Sequence, residues 1–257
     1  MNAITDTTSI DLNADLGEEC GDDNALLDIV TSANIACGGH AGNLTVLAET
    51  LQACHERGVT PGAHISYPDR AGFGRNSMAD TIKPEKLILF LRSQIEAFAI
   101  LNTGRVPYIK PHGALYHDLA HHPKMTNILR VATIRNPIVL TDPTSRLHTA
   151  EYPGTLNPTY DTRVEVFADR AYNPDGTLVS RDTDGAVIHD PLAIAARSVK
   201  MATEHAVVAI DGTVLTFDRV DSICLHGDTP GAVEAAQAVR ETLTAADITI
   251  APFVNAR

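Results

Sequence analysis

The sequence lacks the features that mark membrane, secreted and nucleic-acid-binding proteins. No apolar run in its 257 residues reaches the ~18 residues of a membrane-spanning helix. The first ten residues, MNAITDTTSI, lack the basic and apolar regions of a signal peptide. The 20 Lys and Arg residues are outnumbered by 32 Asp and Glu residues, and the net charge of −12 disfavours nucleic acids and anionic membranes as partners. We therefore expect a soluble, cytoplasmic protein.

Several common ligand-binding motifs are also missing. The four cysteines form no CxxC pair, which favours reduced structural thiols over a disulfide framework or a zinc finger. The sequence contains no HExxH motif, no Walker loop and no GxGxxG motif. These absences leave open the binding of a divalent metal ion by histidines and carboxylates that lie far apart in the chain.

What the sequence does contain is a repeated layout, in which six apolar, β-prone runs end abruptly in chemically competent residues. Strand ends are often polar, so one such ending means little. Six of them favour parallel strands whose carboxyl ends meet at one polar pocket, where barrel and open α/β folds place their active sites. The endings are Asp15, residues 37–40, His64, residues 110–112, residues 169–170 and residues 226–228.

Helical patterns separate these runs. Strand and helix alternation predicts an α/β fold with a parallel sheet of about seven core strands. The predicted helices cover residues 43–57, 84–104, 122–135 and 190–202, and a further helix begins at Thr229.

A local hairpin interrupts the alternation at residues 206–217. Asp211 and Gly212 lie between two β-branched runs, which predicts a type I′ turn. We see no sequence repeat, low-complexity tract or linker, and we predict a single domain over residues 1–257.

Three polar residues alternate with apolar ones in the first strand. Asp11, Asn13 and Asp15 therefore point to one face, which in a barrel is the interior. Two carboxylates there need partners or a metal ion. Asp15, near the strand end, is a candidate catalytic residue and metal ligand, and Asn13 is a candidate for binding substrate or nucleotide. The alternative is a pair of structural aspartates whose hydrogen bonds are satisfied.

Four histidines occupy equivalent places at strand ends, which favours a shared site over isolated core histidines. His40 and His64 are candidates for binding substrate or nucleotide and, together with Asp15, for holding a divalent metal ion. His112 and His226 are candidates for proton transfer in catalysis.

Lys110 and Glu165 are the remaining catalytic candidates. A lysine at the inner end of a strand needs a carboxylate or an anionic ligand, because its burial alone is costly. Glu165 faces away from Val164 and Val166 and so towards the pocket. The alternative is an ion pair of Lys110 with Asp15 or Glu165 that stabilises the barrel.

Residues on the loops are further candidates for binding substrate or nucleotide. Arg170 offers a planar guanidinium group for a carboxylate or a phosphate, or else forms a surface ion pair. Arg75 lies in a glycine-containing loop, residues 71–75, that can act as a lid. Tyr116, Asp169 and Asp228 complete this group.

Together these motifs resemble the LamB/YcsF family over nearly the whole chain. They include DLNADLG at residues 11–17, SANIACGGHAG at 32–42, KPHGALY at 110–116, EVFADR at 165–170 and HGD at 226–228. The sequence departs from the family pattern at Gly39, where an aromatic residue is usual, and at Asn43 and Asn76, where aspartate and arginine are usual.

The resemblance implies an irregular (β/α) barrel of the glycoside hydrolase/deacetylase type. It also implies the A subunit of an ATP-hydrolysing 5-oxoprolinase, which opens 5-oxo-L-proline to L-glutamate together with B and C subunits. ATP would be required, with a divalent metal ion either as Mg²⁺ on the nucleotide or bound by the protein. Two alternatives stay open: a metal-dependent deacetylase or amidase that uses no ATP, and a non-catalytic subunit that binds a small acid.

Overall fold

A closed barrel of parallel strands forms the centre of the protein. The computed structural model describes residues 9–133, 137–149 and 160–254. The described residues form ten strands: β1 (Ser9–Leu16), β2 (Ser32–Ala36), β3 (Thr60–Ile65), β4 (Tyr108–Pro111), β5 (Ile138–Thr141), β6 (Thr162–Phe167), β7 (Ala206–Val208), β8 (Val214–Thr216), β9 (Ser222–His226) and β10 (Thr249–Ile250).

Seven of these strands close the barrel. Strands β1 to β6 pair in parallel in sequence order, and β9 pairs in parallel with both β6 and β1. Strand β10 pairs in parallel with the start of β1. The prediction of an α/β barrel with about seven parallel strands is therefore confirmed.

Helices follow most of the barrel strands. The described helices are α1 (Asp23–Leu27), α2 (Leu44–Arg57), α3 (Pro84–Leu101), α4 (Gly113–His121), α5 (Pro123–Ala132), α6 (Pro191–Glu204) and α7 (Ala232–Ala245), with one 3₁₀ turn at Arg146–His148. None of the helices in the described ranges combines the length and the apolar character of a membrane-spanning segment.

Local sequence explains some of the helix ends. The Asn43 side chain accepts hydrogen bonds from the backbone N–H groups of Thr45 and Val46 at the start of α2, and Gly58, with φ of 69°, ends that helix. The last helix was predicted to begin at Thr229, which is wrong. Gly231 has φ of 83° and helical geometry begins only at Ala232, because a residue in the left-handed region cannot continue an α-helix.

The predicted helix over residues 122–135 is shorter in the structure, where α5 ends at Ala132 and residues 134–135 lie outside the described residues. The hairpin pairs β7 with β8 in antiparallel fashion. Its turn is not of type I′, since Gly212 alone has a positive φ in the loop over residues 209–213. The Gly212 N–H donates to the Ala209 carbonyl across the turn, so the loop is longer than the predicted two residues.

Alternation along β1 separates an apolar outer face from a polar interior. Ile10 and Leu12 belong to the main apolar core. Asp11 accepts hydrogen bonds from the hydroxyl groups of Thr31, Ser32 and Ser222 at the lower end of the barrel interior. The barrel thus encloses a hydrogen-bonded polar column that leads towards the carboxyl ends of the strands.

Candidate active site

Lys110 lies at the top of this polar column between two carboxylates. Its Nζ donates a hydrogen bond to Asp15 Oδ1 at 2.8 Å and lies 3.2 Å from Glu165 Oε2. The thiol of Cys224 is 3.1 Å away. Asn34 supports Asp15 from the next strand, since its Nδ2 donates to Asp15 Oδ1 at 2.8 Å. All five residues are buried, so this group is shielded from bulk water.

The charges of this group depend on one another. Burial by itself raises the pKa of a carboxyl group, but His64 and Lys110 outweigh this effect and hold the pKa of Asp15 well below its usual range. Burial lowers the pKa of Lys110, yet Asp15, Cys224 and Glu165 raise it well above its usual range. Burial raises the pKa of Glu165. Lys110 and Asp15 therefore form a charged pair at neutral pH.

A second cluster lies beside Asp15 and contains three histidines and Glu18. One ligand atom from each of Glu18, His40, His64 and His112 lies within 4.8 Å of the others. Glu18 Oε1 is 2.8 Å from His40 Nε2, 3.7 Å from His64 Nε2 and 3.4 Å from His112 Nδ1. Asp15 Oδ2 lies 3.5 Å from His64 Nε2.

Backbone carbonyls set the proton positions on two of these rings. His64 Nδ1 lies 3.0 Å from the Lys110 carbonyl, and His112 Nε2 lies 2.9 Å from the Phe73 carbonyl. Because a carbonyl only accepts, each of these nitrogens donates, and the opposite nitrogen of each ring faces the cluster. This arrangement is typical of histidines that bind a metal ion.

The protonation states fit the same interpretation. Burial lowers the pKa of His40 to about 2 and the pKa of His112 well below its usual range, so both rings are neutral. Burial, with the charge of Asp15, raises the pKa of Glu18 to about 8, and a bound cation would displace its proton. Imidazole nitrogens and one carboxylate form a donor set suited to Zn²⁺ or a similar divalent ion.

The predicted metal ligands therefore agree only in part with the cluster in the structure. His40 and His64 belong to the cluster, whereas Glu18 occupies the place predicted for Asp15, and His112 joins as the fourth member. Glu18 was missed because it lies beyond the end of β1, after a turn at Gly17 with φ of 71°. The one indication in the sequence was that Glu18 lies only three residues after Asp15, close to the predicted mouth.

His226 and Asp169 form a further pair at the mouth, where His226 is the register partner of Asp15 on the neighbouring strand. Asp169 Oδ2 lies 2.9 Å from His226 Nδ1 and also accepts a hydrogen bond from the His226 backbone N–H at 3.1 Å. Burial raises the pKa of Asp169, but His226 outweighs it and holds this pKa below the usual range. The ring of His226 stacks on Phe167 with centroids 5.2 Å apart. Asp169 thus fixes the orientation of the imidazole, as in other acid–base pairs.

Many of these groups border one cavity of about 800 Å³. Nine of the residues predicted from the sequence line it: Asp15, His64, Arg75, Lys110, His112, Tyr116, Arg170, His226 and Asp228. Four others, all within the described part of the chain, lie behind the lining: Asn13, His40, Glu165 and Asp169. Asn13 is buried beneath the mouth, where its Nδ2 donates to Ser222 Oγ at 2.6 Å.

Arg170 differs from the expectation of a free guanidinium fork. Its Nε donates to the Ala186 carbonyl at 3.3 Å and one Nη donates to the Val179 carbonyl at 2.6 Å. The side chain therefore holds its own loop in place and cannot offer both of these groups to a ligand.

The departures from the family pattern have local structural explanations. A Cβ atom at Gly39 would lie 2.2 Å from Ser66 Oγ and 2.7 Å from Gln94 Oε1, so an aromatic side chain would require these two side chains to move. Asn43 caps α2, a role that asparagine and aspartate share. Asn76 Nδ2 donates to Asp69 Oδ2 at 3.0 Å within the loop that carries Arg75.

Known proteins resemble the chain along most of its length. A protein from Cutibacterium acnes, named as the A subunit of 5-oxoprolinase, is 45% identical over 256 residues, covering 93% of this chain and 97% of its own. A protein of the same name from Corynebacterium jeikeium is 42% identical and covers 99% of this chain and 100% of its own.

Solved structures show the same fold. A lactam utilization protein from Thermus thermophilus matches with a TM-score of 0.80 at 32% identity, covering 95% of this chain and 99% of its own. A family 4 carbohydrate esterase from Streptomyces lividans matches with a TM-score of 0.52 at 10% identity, covering 95% and 91%, and shares the fold alone. The LamB/YcsF family model matches residues 10–257, so the chain belongs to the LamB/YcsF family, as its motifs predicted.

Proposed function

We propose that the protein is the A subunit of an ATP-hydrolysing 5-oxoprolinase and opens 5-oxo-L-proline to L-glutamate. The observation that carries the proposal is the charged Lys110–Asp15 pair, which borders the cavity beside the Glu18 and histidine cluster. The names of its relatives, which refer to 5-oxoprolinase and to lactam utilization, support this reaction. Because those relatives are named as one subunit of several, we further propose that B and C subunits are its partners.

The lactam is a stable amide, so its opening requires activation of the carbonyl group. Transfer of the γ-phosphoryl group of ATP to the lactam oxygen releases ADP and makes the ring carbon electrophilic. Water then adds to this carbon, the ring C–N bond breaks as the nitrogen is protonated, and an acyl phosphate forms. A second water molecule cleaves the acyl phosphate to the carboxylate and phosphate. The sum is one 5-oxoproline, one ATP and two water molecules converted to glutamate, ADP and phosphate.

Lys110 supplies the fixed positive charge in this scheme. Its ammonium group stabilises negative charge on the transferring phosphoryl group or on the oxygen of the ring carbonyl. Glu165, which lies behind the cavity lining, acts as a positioning residue for that ammonium group. Asp15 borders the cavity and accepts the proton of the attacking water. We choose it although its pKa is low, because a general base must first lie within hydrogen-bond distance of the water.

His226 is the better candidate for protonating the ring nitrogen. Asp169 orients its imidazole and stabilises the protonated form. The other candidate is His112. Its Nε2–H donates a hydrogen bond to the Phe73 carbonyl, and its Nδ1 faces the histidine cluster. It therefore fits metal binding better than proton transfer to a substrate.

Glu18, His40, His64 and His112 would hold a divalent metal ion, and the two ring nitrogens that face the cluster fit that role. When bound, such an ion polarises a carbonyl or phosphoryl oxygen. The cavity, at about 800 Å³, lies in the range for drug-sized ligands and is larger than a small lactam requires. Its size supports a nucleotide binding beside the substrate.

A test requires the protein purified together with its partner subunits. Lys110→Ala and Glu165→Gln should both reduce glutamate and ADP release from 5-oxoproline and ATP, with Lys110→Ala the more severe. Lys124→Ala, which removes an exposed lysine paired with Asp80, is the control. Rates equal to those of the wild type in both site variants would discard the scheme.

The histidine cluster favours one other function, a metal-dependent amidase or deacetylase that uses no nucleotide. The same assay separates the two proposals. Glutamate formation that continues without ATP and stops after chelation supports the amidase, whereas strict dependence on ATP supports the 5-oxoprolinase.

A further inference from the structure

Guanidinium groups from two segments line the same cavity as Lys110. Arg75 comes from the loop after β3, and Arg170 and Arg181 come from the segment between β6 and α6. Asp228, which follows β9, lies between two of them. Its Oδ2 is 2.6 Å from Arg75 Nη2, whereas its Oδ1 is 3.8 Å from Arg181 Nη2. We refer to Arg75, Arg170 and Arg181 as the arginine cluster.

Asp228 satisfies this cluster only in part. Its Oδ1 is buried and has no hydrogen-bond partner among the described residues, because Arg181 lies beyond hydrogen-bond distance. Burial, followed by the charges of Arg181 and Arg75, lowers the pKa of Arg170 to about 10, which agrees with three cations close together. The side chains of Arg75 and Arg181 are 44% and 27% exposed, so a dissolved ligand can reach both.

Hydrogen bonds hold the two segments in place. In the loop that carries Arg75, the Gly74 carbonyl accepts from the Ala114 N–H at 2.9 Å, and Asp69 accepts from the Asn76 N–H at 3.2 Å. Near Arg181, the Val179 N–H donates to the Ala171 carbonyl at 3.0 Å. The guanidinium groups are therefore attached to an ordered backbone, which lowers the entropy cost of binding an anion.

We propose that Arg75 and Arg181 of the arginine cluster bind a phosphoryl group and that Asp228 competes with this group for the same two cations. A carboxylate has two oxygens in one plane, and here it reaches one guanidinium group well and a second poorly. A tetrahedral phosphoryl group has oxygens in three directions and can accept hydrogen bonds from both Arg75 and Arg181. The inference rests on the proposed function in one respect: ATP would be the source of the phosphoryl group.

The test is calorimetric titration of the full-length, chelator-treated protein with tripolyphosphate at low salt. Arg75→Gln and Arg181→Gln should each weaken binding about tenfold or more, since each removes charge-assisted hydrogen bonds. Asp228→Asn should strengthen binding, because it removes the competing charge. Arg57→Gln is the matched control, since it breaks the 2.8 Å ion pair of Arg57 with Asp28, which lies outside the cavity lining.

Equal affinity in Arg75→Gln, Arg181→Gln and Arg57→Gln would overturn the proposal, as would weaker binding by Asp228→Asn. Thermal unfolding of each variant shows that the comparison concerns folded protein. Titration with 5-oxoproline supplies a further arm. If Arg75→Gln weakens binding of 5-oxoproline and leaves tripolyphosphate binding unchanged, the cluster recognises the substrate carboxylate and the proposal is wrong.

The source of the phosphoryl group is identified by titrating inorganic phosphate and ATP separately. Either ligand supports the subsite if its binding depends on Arg75 and Arg181, and stronger binding of ATP identifies a nucleotide. Failure of the subsite and failure of the proposed function are distinguishable. Loss of glutamate formation is scored with the partner subunits, whereas phosphate binding is scored on this chain alone.

Discussion

Nδ1 of His112 lies 2.9 Å from Nε2 of His64, although the other nitrogen of each ring faces a backbone carbonyl. Each carbonyl accepts a hydrogen bond from the ring nitrogen that faces it. The two nitrogens that face each other must therefore either share a proton or each give a lone pair to a metal ion beside them. With Glu18 and His40 adjacent, a divalent metal ion satisfies all four groups at once.

The first prediction concerns this metal ion. The wild-type protein should bind about one equivalent of Zn²⁺ or a similar ion, and binding at a hundredfold excess over Kd should stabilise the fold by about 2.7 kcal/mol. Glu18→Gln and His112→Ala should lose most of this affinity. Metal content after dialysis and the shift in Tm on adding metal measure both effects.

His55→Gln is the control for these variants, because His55 lies on α2 and bonds to Asn102 outside the cluster. It should keep the metal content of the wild type. Unchanged metal content in Glu18→Gln and His112→Ala would contradict the assignment of the cluster.

The second prediction concerns close packing against the same rings. A Cβ atom at Gly74 would lie 2.8 Å from His112 Cδ2 and 2.9 Å from the His40 Cβ, closer than real contacts allow. Gly74→Ala should therefore displace these side chains and weaken metal binding by tenfold or more. Its cost also includes about 1–2 kcal/mol of backbone strain at φ of 67°.

Gly58→Ala separates the effect of backbone strain from the effect of the contact with His40 and His112. Gly58 has nearly the same φ, 69°, but an added Cβ atom there meets nothing within 4 Å. This variant should lose stability to urea by about 1–2 kcal/mol and bind metal like the wild type. Equal metal affinity in the two alanine variants would show that the Gly74 contact does not matter to the cluster.

The third prediction concerns the His226–Asp169 pair. Asp169→Asn retains the size of the side chain but removes the charge that orients the imidazole and stabilises its protonated form. In the complex with the proposed partner subunits, kcat should fall by about 10²–10⁴ with a much smaller change in KM. The pH profile of kcat should shift as well, which a purely structural loss would not cause. Asp161→Asn, at an exposed aspartate, should leave all three measurements unchanged.

The fourth prediction is a pH dependence that originates at Asp11. Burial raises the pKa of Asp11 from 3.8 to about 6, despite the hydroxyl groups of Ser222, Ser32 and Thr31. Between these two values the folded state binds a proton that the unfolded chain releases. The contribution of Asp11 to stability is therefore complete below pH 4 and is lost as the pH rises through 6, a change of about 3 kcal/mol.

Asp11→Asn cannot titrate and keeps one side-chain oxygen for the neighbouring hydroxyl groups. As the pH rises from 4 to 7.5, the free energy of unfolding of the wild type should therefore fall relative to that of Asp11→Asn. Urea unfolding at several pH values measures it. A difference that stays constant over this interval would contradict the raised pKa.

Much of the architecture was predictable because it depends on neighbours in the chain. The alternation of Asp11, Asn13 and Asp15 with apolar residues placed one face of β1 in the barrel interior. Polar residues at six strand ends indicated a common mouth, and most of them border the cavity. Turn geometry was less predictable: the start of α7 and the turn at Gly212 were wrong, because both depend on backbone angles that residue type only biases.

The sequence by itself determined the barrel class, the family and most of the predicted polar residues that border the cavity. Only the tertiary structure decided that Glu18 joins His40, His64 and His112, that Asp169 orients His226, and that carbonyl groups occupy two donors of Arg170. The reason is physical. Side-chain alternation and helix capping act over a few residues, whereas the distances between atoms on different strands are set by closure and register of the whole barrel.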